Sequence, residues 1–244
     1  MYHREDDQIC IGVAERLKQY GIQTDLVNGE ISFTSGLGKK LIPRCETLYL
    51  LRHAETYATK LNKFMNDVSI NSKLTDYGIK TIIDNSKQIE SLNFDYIFYS
   101  PIPRVKKTFE IIHQQLEKKP YCLEIPWMLG IDNSGWEERN IDELAGKDEE
   151  DFYQREILHN IFAKSSGGCC WGKVLCRCID LVEFINKGFK GKKILLVSQG
   201  SILIGLQIVL QMEKPWENYN PETFFYLKTE EKGNYGELQL IFKE

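Results

Sequence analysis

Nowhere in the 244 residues does an apolar run approach the roughly 18–20 needed to span a bilayer. The richest stretch, Ile202 to Leu210, is about half that length and reads as a buried helix. The opening, MYHREDDQIC, is polar and acidic, unlike the basic-then-apolar start of a secretory signal. An excess of positive charge is lacking too. Lys and Arg number 31 against 35 Asp and Glu, a formal net charge of −4. That balance offers no footprint for nucleic acid or an anionic membrane and leaves room only for a local basic pocket. The seven cysteines are an odd count without small-scaffold spacing, which argues against a disulfide framework and for a reducing cytoplasm. Internal repeats and low-complexity tracts are also missing. At 42% hydrophobic and 27% charged, the composition is ordinary for a soluble globular chain. The length suits one α/β domain with a modest appendage. Oligomeric state leaves no trace in the sequence.

Two regions separate by pattern. Residues 1–46 read as an appendage packed on a main domain of residues 47–244, because so short a segment without disulfides makes a marginal core alone. Within it, Ile9, Val13, Leu17 and Tyr20 recur at helical spacing, predicting an amphipathic helix over about 6–20 whose Ile9, Val13 and Leu17 face does the docking. Glu30–Thr34 reads as a short strand and Ser35–Lys40 as a loop. That loop superficially resembles a phosphate-binding P-loop, but Phe33 stands where the first glycine belongs and Lys40 where Ser or Thr is required.

From residue 47 strands and helices alternate. Thr47–Leu51, Phe94–Tyr99 and Lys193–Ser198 are short apolar runs rich in β-formers, as expected of strands buried on both faces. Between them, Thr75 is placed to cap a helix with Ile79, Ile82, Ile83 and Ile89 on its inner face. Val105, Phe109, Ile112 and Leu116 mark a second helical stripe, and Leu175, Cys178, Val182 and Ile185 a third. The run Asp148–Asp151 fits a helix N-terminus, where negative charge is favoured. Thr223–Leu227 and Glu237–Phe242 read as a β-hairpin about Lys232-Gly233-Asn234. The fold class is therefore α/β: a three-layer sandwich with a mostly parallel central sheet.

Ligands of such sheets bind beyond the carboxyl ends of the strands. Three of the strands run into chemically capable segments there: Arg52-His53-Ala54-Glu55-Thr56, Ser100-Pro101-Ile102-Pro103-Arg104 and Ser198-Gln199-Gly200-Ser201. Two arginines, a histidine and an amide converge on one sheet edge. Guanidinium forks suit phosphate oxygens, and an imidazole nitrogen can accept a phosphoryl group covalently.

These segments resemble the histidine phosphatase (phosphoglycerate mutase-like) superfamily over roughly residues 47–212. Its Arg-His-Gly-Glu-Thr/Ser motif is matched by Arg52–Thr56, and its Leu-Thr-x-x-Gly helix start by Leu74, Thr75 and Gly78. Its Ser-Pro-x-x-Arg-x-x-x-Thr motif is matched by Ser100, Pro101, Arg104 and Thr108. The acid-bearing segment aligns with Trp136–Gly146, which puts Glu138 in the proton donor's position. Four departures accompany the match. Gln199 replaces the second histidine, Thr59 stands where Asn is usual, Cys169-Cys170 occupy the place of Glu-Ser, and Asp142 replaces a glycine.

The resemblance implies a phosphomonoesterase for a small phosphorylated metabolite. His53 would be the nucleophile, Glu138 the acid and base, and Arg52, Arg104, Gln199 and Thr59 the phosphate-binding set, with no metal or organic cofactor. Gln199 keeps a second class open, a catalytically impaired or inactive phospho-ligand binder, and a phosphomutase is the third reading. Blander readings stand beside these. Glu138 sits among Glu137, Asp142 and Glu143, which also fits a solvated acidic segment. Cys169, Cys170, Cys176 and Cys178 fit small buried hydrophobes better than tetrahedral metal ligands, with a substrate-facing thiol at Cys169 as the alternative. His3, His113 and His159 show no partner pattern and read as surface groups. Substrate selection falls to Tyr57–Asn71, to residues 128–170 and to the N-terminal appendage as a further candidate, and none of these carries a legible code.

Overall fold

The computed structural model describes residues 2–33, 39–65, 73–146, 149–211, 236 and 238–243. A central sheet carries five strands: β3 (Thr47–Arg52), β4 (Tyr96–Tyr99), β5 (Tyr121–Glu124), β6 (Lys193–Ser198) and β7 (Leu238–Lys243). Their spatial order is β5-β4-β6-β3-β7. The first four are mutually parallel and β7 runs antiparallel to β3. Alternation along each strand divides the core in two. Leu48, Leu50, Ile194 and Leu196 point into one cluster, Leu51, Leu195 and Val197 into the other. The first cluster is covered by α7 (Trp171–Gly188) and α8 (Gly200–Val209), the second by α3 (Asp76–Leu92) and α4 (Pro103–Gln115). Helices on both faces of a period-two sheet give the three layers.

The sequence dictates most of these boundaries. Thr75 caps α3 by accepting the Gly78 N–H at 3.0 Å, and Asn93 ends it in the left-handed conformation. Pro103 opens α4 where no amide donor is needed. The stripes on α4 and α7 are buried as the spacing predicts. On α3, Ile82 and Ile89 are buried, but Ile83 is 40% exposed. A residue next to Ile82 lies about 100° round the helix, outside the face that a sheet can cover. Phe94 is not in β4, which begins at Tyr96; it packs edge-on against Tyr49 instead.

Ahead of the sheet lie α1 (Asp7–Lys18), β1 (Ile22–Thr24) and β2 (Ile31–Phe33), the last two paired antiparallel. Cys10, Val13 and Leu17 of α1 join the same cluster as α7, with Ile9 half-buried at its edge. Gly172 permits this approach: a Cβ there would stand 2.7 Å from Val13 Cγ1. Arg16 bonds Asp180 and Glu183 of α7 at 2.9 and 2.8 Å. The segment 2–5 continues onto the main body through an Arg4–Ala163 bridge and the Glu5 N–H to Phe162 carbonyl bond. Of the expected loop at Ser35–Lys40, residues 35–38 lie outside the described residues, as do Thr34 and the hairpin strand Thr223–Leu227. Asp148 is likewise outside, while Glu149 to Asp151 stand at the start of α6 (Glu150–Phe152), preceded by α5 (Ile141–Gly146). A four-residue helix, α2 (Tyr57–Lys60), follows the His53 loop. Among the described residues no helix is long and apolar enough to cross a membrane.

Candidate active site

Adjacent parallel strands β4, β6 and β3 end level with one another, and backbone bonds extend their ladder into the polar segments. His53 N–H donates to Ser198 O at 2.9 Å, and Ser100 N–H to Val197 O at 3.2 Å. The loop after His53 is then fixed by α3 and α4. Ala54 N–H donates to Thr108 Oγ1 (3.0 Å), whose hydroxyl donates to Arg104 O (2.8 Å). Thr75 binds Glu55 twice, through its N–H to Glu55 O (2.9 Å) and its hydroxyl to Glu55 Oε1 (2.7 Å). Gly78 lies so close that a Cβ would be 2.6 Å from Glu55 O and 2.8 Å from Glu55 N.

This scaffold buries His53 with Arg52 and Arg104. The Nδ1–H of His53 donates to Ala54 O at 2.8 Å, the arrangement that leaves the lone pair on Nε2. Arg104 Nε donates to that Nε2 at 3.3 Å. Burial, then the charges of Arg104 and Arg52, push the imidazole well below its ordinary value, so it is neutral at pH 7. A neutral imidazole can act as a nucleophile, and two guanidiniums beside it can hold an anion.

Gln199 is buried at the end of β6, with its amide held between two serines. Ser198 Oγ donates to its Oε1 at 2.9 Å, and its Nε2 donates to Ser100 Oγ at 3.0 Å. Thr59 closes a reciprocal cap with Thr56 at the start of α2. Arg52, His53, Thr59 and Gln199 line one cleft of about 170 Å³. A wider groove of about 530 Å³ runs between Leu41 and Lys187, but no residue of the three motifs lines it.

Neither Arg104, which reaches His53 from α4, nor Glu138 is among the residues that line this cleft. Glu138 is exposed and takes a left-handed φ of 61°. Its N–H is tied to Phe64 O at 2.9 Å, while Trp136 takes the buried side of the segment. The cleft wall is formed instead by Ile131 and Asn133, further up the chain. Arg155, Glu156 and Trp171 also line it, and nothing in their spacing marked them. Cys169 is buried, with Sγ accepting from Asp132 N–H at 3.2 Å, and it does not line the cleft. Burial pushes the Cys170 thiol up to about 12 and the Cys176 thiol to about 11, and Cys178 upward as well, so these behave as apolar groups. Among the described residues no group of three His, Cys, Asp or Glu is placed to hold a metal ion. His159, read as a surface group, is buried and left-handed.

The sequence profile of the histidine phosphatase superfamily (branch 1) matches residues 48–220. Solved structures share the fold at low identity. Phosphoserine phosphatase from Entamoeba histolytica, with 3-phosphoglyceric acid, has TM-score 0.58 and 23% identity, covering 75% of this chain and 85% of that one. Bacillus stearothermophilus YhfR has TM-score 0.60 and 20% identity over 75% and 85% of the two chains. The α-ribazole phosphatase of Shigella flexneri has TM-score 0.58 and 20% identity over 73% and 83%. No curated protein matches the sequence significantly.

Proposed function

The chain belongs to the histidine phosphatase superfamily, and from that premise we propose that it is a phosphomonoesterase acting through a phosphohistidine on His53. Membership supports phosphatase- or mutase-type activity, and the specific chemistry is read from the cleft. The observation that carries the reading is the neutral His53 with Nε2 unprotonated beside Arg104. In the proposed reaction a phosphate dianion sits between Arg52 and Arg104. Nε2 attacks phosphorus in line, the P–O ester bond breaks, and the alcohol leaves with its electron pair and takes up a proton, the one Glu138 is proposed to give and to regain from the water of the next step. Water then cleaves the N–P bond to release inorganic phosphate. The guanidiniums hold the charge on the equatorial oxygens throughout. Thr59 and Gln199 line the same cleft, whose volume of about 170 Å³ favours a small phosphorylated metabolite.

Glu138 remains the proposed acid by its motif position, although it is exposed and is not among the residues that line the cleft. A second reading, a phospho-ligand binder with little turnover, is favoured by Gln199, whose bonds to Ser198 and Ser100 hold its amide in place of an imidazole. A screen of phosphomonoesters with phosphate release as readout separates the two. The enzyme reading expects release that is abolished in His53→Ala. Phosphate binding by calorimetry, with release no greater than that of His53→Ala on every ester, would overturn it in favour of the binder.

A further inference from the structure

We infer that the groove between residues 39–44 and α7 is a second anion site, one that takes a linear oligophosphate, free or as the tail of a nucleotide. It shares no lining residue with the His53 cleft, so the inference stands apart from the phosphatase reading. Lys39, Lys40 and Arg44 line it from the segment ahead of β3, and Lys187 from the last turn of α7. Glu183 is the one acidic residue that lines it, which leaves an excess of three positive charges in a chain of formal net charge −4.

That carboxylate is already engaged, accepting from Arg16 Nη2 at 2.8 Å and from the Tyr20 hydroxyl. Elsewhere Arg16, Lys106, Arg139 and Lys173 each meet a carboxylate. Among the described residues Lys39, Lys40, Arg44 and Lys187 form no ion pair. Like charges gathered in one concavity repel one another and focus a field that draws in an anion. The walls that carry them are tied down. Asn186 of α7 accepts from Arg44 N–H at 2.7 Å and donates to Ile42 O at 3.0 Å. Gly191 N–H donates to Arg44 O at 2.8 Å, and Lys39 N–H to Gln19 O at 2.9 Å.

Size and chemistry narrow the ligand. A volume of about 530 Å³ is that of a small-molecule site, and a single phosphate would leave most of it, and most of its charge, unanswered. Lysine ammoniums suit phosphate oxygens as point charges, and Arg44 adds a planar fork. Lys39 and Lys40 end the loop whose sequence fails the P-loop pattern, and the site draws on their charge instead of that pattern. The buried Tyr20 and Leu41 and the exposed Ile42 give apolar surface on which a nucleoside would lie.

The test is calorimetric titration of tripolyphosphate, metal-free ATP and orthophosphate into the full chain. Wild type is expected to bind tripolyphosphate about 10-fold or more tighter than orthophosphate, the scale of one added charge-assisted bond. The double variant Arg44→Gln/Lys187→Gln changes two exposed positions. It should weaken tripolyphosphate binding by about 10- to 100-fold, the scale of two such bonds, and leave orthophosphate binding unchanged. His53→Ala should leave the tripolyphosphate affinity as it is. ATP tighter than tripolyphosphate would identify a nucleotide as the source, and ATP no tighter the free oligophosphate. Tripolyphosphate no tighter than orthophosphate in wild type, full affinity in the double variant, or loss of affinity in His53→Ala would overturn the site. None of these results touches the phosphatase reading, which is decided by phosphate release.

Discussion

Between Arg52 and Arg104, His53 is kept from taking a proton, and this has a thermodynamic cost that grows with acidity. The folded-state value lies well below the ordinary 6.5 that applies to the unfolded chain. As pH falls through about 6.5 the unfolded chain binds the proton first, so this contribution to stability is full above that value and is lost below it. Substituting His53→Ala should therefore flatten the decline of Tm between about pH 7 and pH 5 relative to wild type, measured by thermal melts across that range. A parallel decline in both proteins would mean that His53 is not held neutral. Gln199 permits a prediction of gain. An imidazole there supplies a donor able to carry charge, so Gln199→His should raise hydrolysis of an aryl phosphate by about 10- to 1000-fold. The gain should vanish in the His53→Ala background, because the added group assists the nucleophile and does not replace it. The central residues were legible because each stands at a strand end within a dense local motif: Arg52 closes β3 and His53 follows it, and Arg104 comes in the first turn of α4, after β4. Arg155 and Asn133 were not, since only the return of the chain over the cleft brings them in. Glu138 is less firmly marked. Its short acidic segment carries Asp142 in place of a glycine, and the residue itself is exposed.

Among the elements, α3 does more than cover the sheet, since its first turn presses on the backbone of the His53 loop. Gly78→Ala would put a methyl 2.6 Å from Glu55 O and 2.8 Å from Glu55 N, both backbone atoms that can give way only by moving the loop. The expected cost is about 1–3 kcal/mol of stability, together with weaker binding of inorganic phosphate. Denaturant melts and phosphate titration of the same variant check both. A loss of stability with phosphate affinity unchanged would uncouple helix from loop. Strands such as β6, buried on both faces, were readable to the residue because an apolar run leaves little freedom. By contrast β1 and β5 are three and four residues long, and most of β5 is exposed, so neither carries a burial pattern for a reader to find.

At the scale of the molecule, the segment ahead of β3 is part of the core that the sheet itself uses. Leu17 is fully buried in the cluster that holds Leu50, Leu196 and Ile179. Leu17→Ala should cost about 2–5 kcal/mol and lower a single unfolding transition. A separate early loss of α1 by hydrogen exchange, with the main transition unmoved, would show that the helix is dispensable. The helical spacing of Ile9, Val13 and Leu17 announced an apolar face, but Gly172, which lets α7 come close enough to receive it, lies far along the chain and carries no such signal.

The sheet order has a consequence for how the chain is made. The strand that carries His53 pairs on one side with β6, which starts at Lys193, and on the other with β7, which starts at Leu238. Neither neighbour exists when β3 leaves the ribosome, and closing such long loops is slow. During synthesis Leu48, Leu50 and Leu51 therefore wait as an unpaired apolar strand, open to a holdase chaperone or to a second nascent chain. Cells that make this protein quickly should accumulate it as aggregate, and slower translation or lower temperature should recover it, because β3 gains its two neighbours only after β6 and β7 have emerged.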